Sequence, residues 1–293
     1  MGAGATILGL TSILYELSAT TPSTGAFFRC LYAVVPLGLL VLLRRRRDGR
    51  PTTGGWSGAA VGAGVFLGLD LLLWHHAINE IGAGLATVLI SLQVVFAAGL
   101  GYLVLRQRVS PRLWWCLPVL LLGVALVGGL TVSGLAVTSL SGFVGAVVAA
   151  AAYAVYIVGV GAATRRARQS SGPMLVSTMA TAVTVGLVGL WDGSLDLTPP
   201  AAAHGWLVLL ALDAQVLGWL LVSRASQRLP ASSVAAGLVL QSTAALGFAA
   251  LLLHQLPTTT QTVGAGLVLA AVTATVSTRA SRTPDLTPKV ALP

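Results

Sequence analysis

The chain has 293 residues, of which 56% are hydrophobic and 9% charged, and its mean hydropathy is +0.88. A water-soluble domain carries about a quarter charged residues, so these few charges cannot cover a globule in water and the solvent must be a bilayer. The net charge of +9 and pI near 10.8 would suit a nucleic-acid binder, but the placement of the basic residues gives them another role.

A helix needs about 20 apolar residues to cross the hydrocarbon core. That length predicts spans near 3–19, 25–43, 56–76, 82–104 and 112–130, then near 141–161, 174–192, 204–223, 230–253 and 260–278. The first is the shortest and contains Glu16. Most prolines fall at the joints between spans; Pro36 and Pro118 fall inside, where each is expected to kink its helix. Span three contains Gly58-x-x-x-Gly62 and Gly64-x-x-x-Gly68, which predict close helix packing. Cys30 and Cys116 are placed near opposite membrane faces and are not expected to pair. The amino terminus lacks a basic leader, so no cleavable signal is expected.

Orientation follows from Lys and Arg, which are retained on the cytoplasmic side. Arg44, Arg45, Arg46, Arg47 and Arg50 follow span two, and Arg106, Arg108 and Arg112 follow span four. Arg165, Arg166 and Arg168 follow span six, Arg224 and Arg228 follow span eight, and Arg279, Arg282 and Lys289 lie in the tail. These even-numbered connections hold 16 of the 17 basic residues, leaving only Arg29 near the outer end of span two. The alternate connections carry Glu80, Asp192 and Asp196. Ten spans with both termini in the cytoplasm account for the pattern, and the basic residues become a topogenic fringe.

The chain also matches itself at an offset of 148, residues 81–111 against 229–259. The pairs include Ala83/Ala231, Leu92/Leu240, Ala97/Ala245 and Gly99/Gly247, and more tellingly Gln93/Gln241 and Gln107/Gln255. With five spans per half, the second half enters the membrane from the opposite side. The expected fold is therefore an all-α integral membrane protein of ten transmembrane helices arranged as two inverted five-helix repeats. Residues 1–130 form the first repeat, 136–280 the second and 281–293 a cytoplasmic tail. Such repeats support alternating access around a site near the midplane.

At this point the sequence resembles the EamA family of the drug/metabolite transporter superfamily. The likeness rests on Pro22-Ser23-Thr24-Gly25-Ala26-Phe27-Phe28-Arg29 at the start of span two and on Gln107-Arg108-Val109-Ser110 with Gly123 after span four. Tyr153-Ala154-Val155-Tyr156 at the second repeat and the helix pair over residues 225–275 add to it. The resemblance implies an exporter of small metabolites, amino acids or drugs in a bacterial inner membrane. Where the family usually ends its fourth and ninth helices with glutamate, this chain has Gln107 and Gln255. The parallel change marks them as a pair of structural or gating contacts at helix ends.

Polar residues inside the spans are the site candidates, because such groups are costly in a membrane and usually face a cavity or a partner. Asp70 lies about 10 Å from the outer end of span three and Asp213 near the middle of span eight, at about 1.5 Å per residue. Either carboxylate could meet a cationic substrate or exchange a proton, or serve as packing glue. Gln93 and Gln241 sit close to the midplane in both repeats, where an amide can bond a polar substrate or a neighbouring helix. Trp74, Tyr156 and Trp219 are aromatic candidates for the cavity wall, and His75 shares a proton route with Asp70 or sits at the interface. Arg29 is expected to be a structural partner for an acid or headgroup.

The four histidines, expected toward the outer face, do not make a metal site, and no cofactor, nucleotide-binding loop or enzyme motif is expected. The expected partners are a small-molecule substrate and the lipid bilayer of the cell membrane, with the proton a candidate coupling ion and a homodimer a candidate assembly. An uptake carrier and a non-transporting membrane scaffold are the competing readings.

Overall fold

The computed structural model describes residues 2–48, 57–106, 111–127, 139–167, 170–252 and 258–276. All regular structure among the described residues is helical, without a strand. The first predicted span is two short helices, α1 (Gly2–Leu8) and α2 (Thr11–Ser18), and the second is α3 (Pro22–Asp48). Next come α4 (Gly58–Ile90), α5 (Gln93–Leu105) and α6 (Pro111–Val127). The later part of the chain has α7 (Leu140–Ala167), α8 (Ser171–Trp191) and α9 (Ala201–Leu210), then a π-helical stretch Ala211–Gly218 leading into α10 (Trp219–Ser226). It ends with α11 (Ala231–Leu238), α12 (Leu240–Leu252) and α13 (Thr259–Val276). Helices α3 and α6 run on through Pro36 and Pro118.

Five of the described helical segments are long and apolar enough to cross a membrane: Pro22–Arg47, Gly58–Ile81, Leu140–Ala167, Ser171–Trp191 and Ala201–Ser226. Three of the other predicted spans, the first, fourth and ninth, are interrupted at Gly9–Leu10, Ser91–Leu92 and Val239, while the fifth and tenth correspond to α6 and α13. Two of these breaks are equivalent. Helix α4 ends at Ile90 and α11 at Leu238, separated by the same 148 residues as the sequence match. At each break a tighter bond spans three residues, Val94 N–H to Ser91 C=O and Ser242 N–H to Val239 C=O, both at 3.1 Å. Gln93 and Gln241 therefore sit just beyond matched interruptions of their helices.

Helix α4 passes through the joint expected at 77–81, yet the segment cannot be straight. In a straight helix Leu67 and Ile90 would stand about 35 Å apart, whereas both line one small cavity. Ala86 and Leu89 likewise rejoin a buried cluster with Ala77 and Ala146. The chain reverses between Trp74 and Ile90, where the sequence places a connection.

The described core is apolar, and so is much of the outer surface. Small residues dominate the buried contacts, with Ala146, Ala149, Ala150, Ala154 and Val160 of α7 all fully enclosed. The outward stripes are Val35, Leu39 and Leu42 on α3 and Val183, Leu187 and Leu190 on α8, each 55–74% exposed. Apolar patches of that extent would aggregate in water and suit acyl chains. Close approach depends on particular glycines. A Cβ on Gly64 would overlap the Ser177 carbonyl oxygen and stand 2.6 Å from Ala180 Cβ, so α4 and α8 meet there almost backbone to backbone. Gly68 continues this contact against Thr184, and Gly123 packs α6 on Gly264 of α13. Gly58 and Gly62, expected to pack similarly, face open space, with no described residue within 4 Å of a Cβ built at either position.

Polar contacts separate the two ends of the bundle. At one end Arg165 donates from Nη1 to the Ser226 carbonyl at 2.9 Å, and Gln227 donates to Ser170 Oγ at 3.1 Å. At the other, Thr24 Oγ1 accepts from the Asp196 N–H at 2.8 Å and Ser23 and Ser194 hydroxyls lie 2.6 Å apart. The arginine-bearing connections after α7 and α10 thus share one face, while the acidic connection after α8 joins the start of α3 on the opposite face.

Candidate functional site: a polar cavity between helices of both halves

The break after α11 delivers Gln241 to the interior, and the reversal of α4 brings Ile90 back beside Leu67, Asp70, Leu71 and Trp74. Together they enclose a cavity of about 100 Å³. Its remaining walls are Leu8, Gly9 and Thr11 from the first helix pair, Arg29 from α3, Tyr153 from α7, Trp219 from α10, and Ser242 and Ala245 from α12. Gly9 is needed for closure, since a Cβ there would stand 2.7 Å from Ala244 Cβ and 2.9 Å from the Ala245 nitrogen. The break following it lets the chain turn toward the cavity with Thr11.

Of the expected residues, the structure brings Asp70, Trp74, Gln241 and Trp219 to this wall. Tyr156 stands behind it, fully buried, its ring edge-on to Trp219 at 4.5 Å between centroids. His75 is buried behind Trp74 and stacks on Tyr15 at 4.1 Å. His204 pairs its Nδ1 with the Tyr32 hydroxyl at 2.6 Å. Gln93 is 1% exposed with its Oε1 unbonded, and it is absent from the cavity lining, so the two glutamines are equivalent in chain position but not in surroundings. Asp213 is half-buried on the π-helical stretch, also away from the lining. Gln107 and Gln255 lie outside the described residues, as does the side chain of Glu16.

Arg29, expected as a structural partner for an acid or headgroup, lines the cavity at 4% exposure with its Nε unbonded. Its charge reaches both Asp70 and Asp213 electrostatically. Asp70 is 5% exposed and its Oδ1 has no partner, and Trp74 Nε1 is similarly unbonded. Buried polar atoms in a folded protein are normally bonded; here several unbonded ones surround one cavity. Sequence reasoning also missed Tyr153, whose hydroxyl faces the Gln241 amide. The signal was present, because Tyr153 and Tyr156 three residues apart share a face of α7. A further polar group, Gln215, is fully buried beside Asp213 on the π-helical stretch and donates to Thr178 Oγ1 at 2.9 Å. No cluster of three or more metal-ligating side chains occurs among the described residues.

Comparison with known proteins accords with this arrangement. The EamA-like transporter family matches residues 2–129. The pseudopaline exporter CntI from each of two strains of Pseudomonas aeruginosa is 27% identical to this chain over 231 residues, covering 77% of it and 76% of the relative. One crystal structure, identified simply as that of a protein, shares the fold with a TM-score of 0.74 at 14% sequence identity, covering 94% of this chain and 95% of its own. The apolar spans make this chain a multi-pass membrane protein, and over residues 2–129 it is similar to the EamA-like transporter family.

Proposed function

We propose that this transporter exports a small polar metabolite or drug by alternating access, with the cavity beside Asp70 as its substrate site. The observation that carries the reading is the composition of the cavity wall: α1, α3 and α4 contribute from the first half of the sequence, and α7, α10 and α12 from the second. A site shared between two units is exposed to one side and then the other as the units rock. The reading takes the units as inverted repeats of five helices each, residues 1–130 and 136–280, with 281–293 as a tail. The matched breaks at Ile90 and Leu238 support that division, as do pairings that exchange under it, α3 on α8 and α6 on α13. Interrupted helices beside a binding site are a recurring device of such carriers.

In this reading both termini and the arginine-rich connections face the cytoplasm and the protein resides in the inner membrane, supported by the single-sided arginines. Export is favoured over uptake by the name of the CntI relatives. Asp70 and Gln241 contact substrate, and Trp74 and Trp219 form apolar walls. Asp213, Gln93, His75 and Tyr156 serve the pathway from behind. A proton is the proposed coupling ion, carried by Asp70, because the cavity offers a buried unbonded carboxylate.

The test compares metabolites in cytosol and medium of cells carrying wild type, Asp70→Asn or empty vector at matched membrane levels. The reading expects at least one compound to accumulate outside with wild type only. No moved compound under any growth condition would favour a non-transporting scaffold; accumulation inside would favour uptake.

A further inference from the structure

Helix α3 is longer than crossing the membrane requires. Its 27 residues extend about 40 Å, against about 30 Å of hydrocarbon. The surplus carries Arg44, Arg45, Arg46 and Arg47. With Arg50, this connection holds five arginines, where those after spans four, six and eight hold two or three each. Retention on one side of the membrane needs no such excess. Cations also offset the partial negative charge of a helix C-terminus, but that effect is indifferent to the face on which each one lies.

Here the face matters. At about 100° per residue, Leu39, Leu42 and Arg46 all point within about 40° of Val35, whereas Arg44 points to the opposite side. Exposure agrees with that register. Val35, Leu39 and Leu42 are 74%, 55% and 56% exposed, Arg46 is exposed as well, and Arg44 is partly covered. The outward face of α3 is therefore an apolar strip that ends in a guanidinium. From Val35 to Arg46 the strip rises about 17 Å, close to the depth of one leaflet of hydrocarbon, about 15 Å.

We infer that this face of α3 is a binding site for an anionic phospholipid, with the phosphate on Arg46 and an acyl chain along Leu42, Leu39 and Val35. A guanidinium fork takes two phosphate oxygens at once, and Arg45 and Arg47 flank it within the same last turn. Basic clusters beside a membrane span attract anionic headgroups, by about fivefold in affinity per arginine. A zwitterionic lipid brings its own cation to the same place and forfeits most of that attraction. A free phosphate would meet the arginines but gain nothing from the strip. The inference rests on the membrane placement of α3 and is independent of the proposed transport.

The experiment titrates delipidated full-length protein in detergent with palmitoyl-oleoyl phosphatidylglycerol, or with phosphatidylcholine of the same chains, and counts bound lipid by native mass spectrometry. Wild type is expected to take its first phosphatidylglycerol at least about tenfold more tightly than phosphatidylcholine. Arg46→Gln should lower that preference about fivefold and leave phosphatidylcholine binding unchanged, which also shows that the variant is folded. Arg46→Lys should keep most of the preference. Arg166→Gln removes the same charge from an exposed arginine at the end of α7 and should leave the preference intact. Equal affinity of wild type for the two lipids would overturn the inference. So would an unchanged preference in Arg46→Gln, or the same loss in Arg46→Gln and Arg166→Gln. Displacement of bound phosphatidylglycerol by glycerol phosphate at about 1 mM would reveal a site for free anions and overturn the assignment to lipid.

Discussion

Substituting Gly64 by alanine tests whether α4 and α8 pack as described. The new Cβ would overlap the Ser177 carbonyl oxygen and stand 2.6 Å from Ala180 Cβ and 2.9 Å from the Ser177 carbonyl carbon. Two of these atoms are backbone, so relief requires the helices to separate. Overpacking of this kind costs about 1–3 kcal/mol. Separation also stretches the 2.9 Å bond from Thr181 Oγ1 to the Gly64 carbonyl, adding about 0.6 kcal/mol for an interhelical bond in a membrane. The total, about 1.6–3.6 kcal/mol, corresponds to a factor of roughly 15–400 in the unfolding equilibrium. Gly62→Ala is the matched control: it lies on the same helix with nothing within 4 Å of its Cβ, and replacing a helical glycine gains up to about 1 kcal/mol. Thermal unfolding of both variants in one detergent, followed by loss of the monodisperse peak, should show Gly64→Ala clearly below wild type and Gly62→Ala at or above it. Equal stability of Gly64→Ala and wild type, or equal loss in both variants, would refute the packing argument.

Trp219 is 1% exposed and edge-on to both Tyr156 and Tyr153; Trp219→Ala should cost about 3–5 kcal/mol, read as a large fall in folded yield, with Trp219→Phe recovering much of it. Thr24→Val removes the Oγ1 that bonds the Asp196 backbone at 2.8 Å and should cost about 1 kcal/mol, with faster proteolytic nicking of the connection after α8. The exposed Asp192 carboxyl is held below its ordinary range by hydrogen bonds from the side chain and backbone of Ser194. A lowered folded-state value means that its contribution to stability is present above the usual carboxylate range and is lost as pH falls through the folded value. Unfolding followed from neutral to acid pH should therefore show a small acid-side loss that is missing in Asp192→Asn.

How much could be read from the sequence depended on which property carried the signal. Helix positions follow from apolar length and prolines, and the described helices lie within a few residues of the predicted spans, as with α7 and α8. Length does not report interruptions. The breaks at Ser91–Leu92 and Val239 fall in apolar runs with no proline, and packing of the following segments decides them. The π-helical stretch around Asp213 carries no sequence mark either. Rotation about a helix axis was the other illegible quantity. Gly64 faces α8 while Gly62 faces open space, and Gln241 lines the cavity while Gln93 does not, although each pair looked equivalent in spacing. Asp70 was legible because a carboxylate in an apolar run needs a reason. Arg29 was legible as an anomaly, but its place in the cavity wall depends on how α3 meets α4.

The central claim, that one interior site opens in turn to either side of the membrane, is tested most directly by accessibility of its wall. Ser242 of α12 lines the cavity, and Cys30 and Cys116, both unpaired, can be replaced by alanine to give a background without other thiols. Ser242→Cys would then be treated with a membrane-impermeant thiol reagent in intact cells and in inverted vesicles. Alternating access predicts labelling from both sides, slowed from each by an exported substrate. Labelling confined to one side under all conditions, or absent from both, would contradict it.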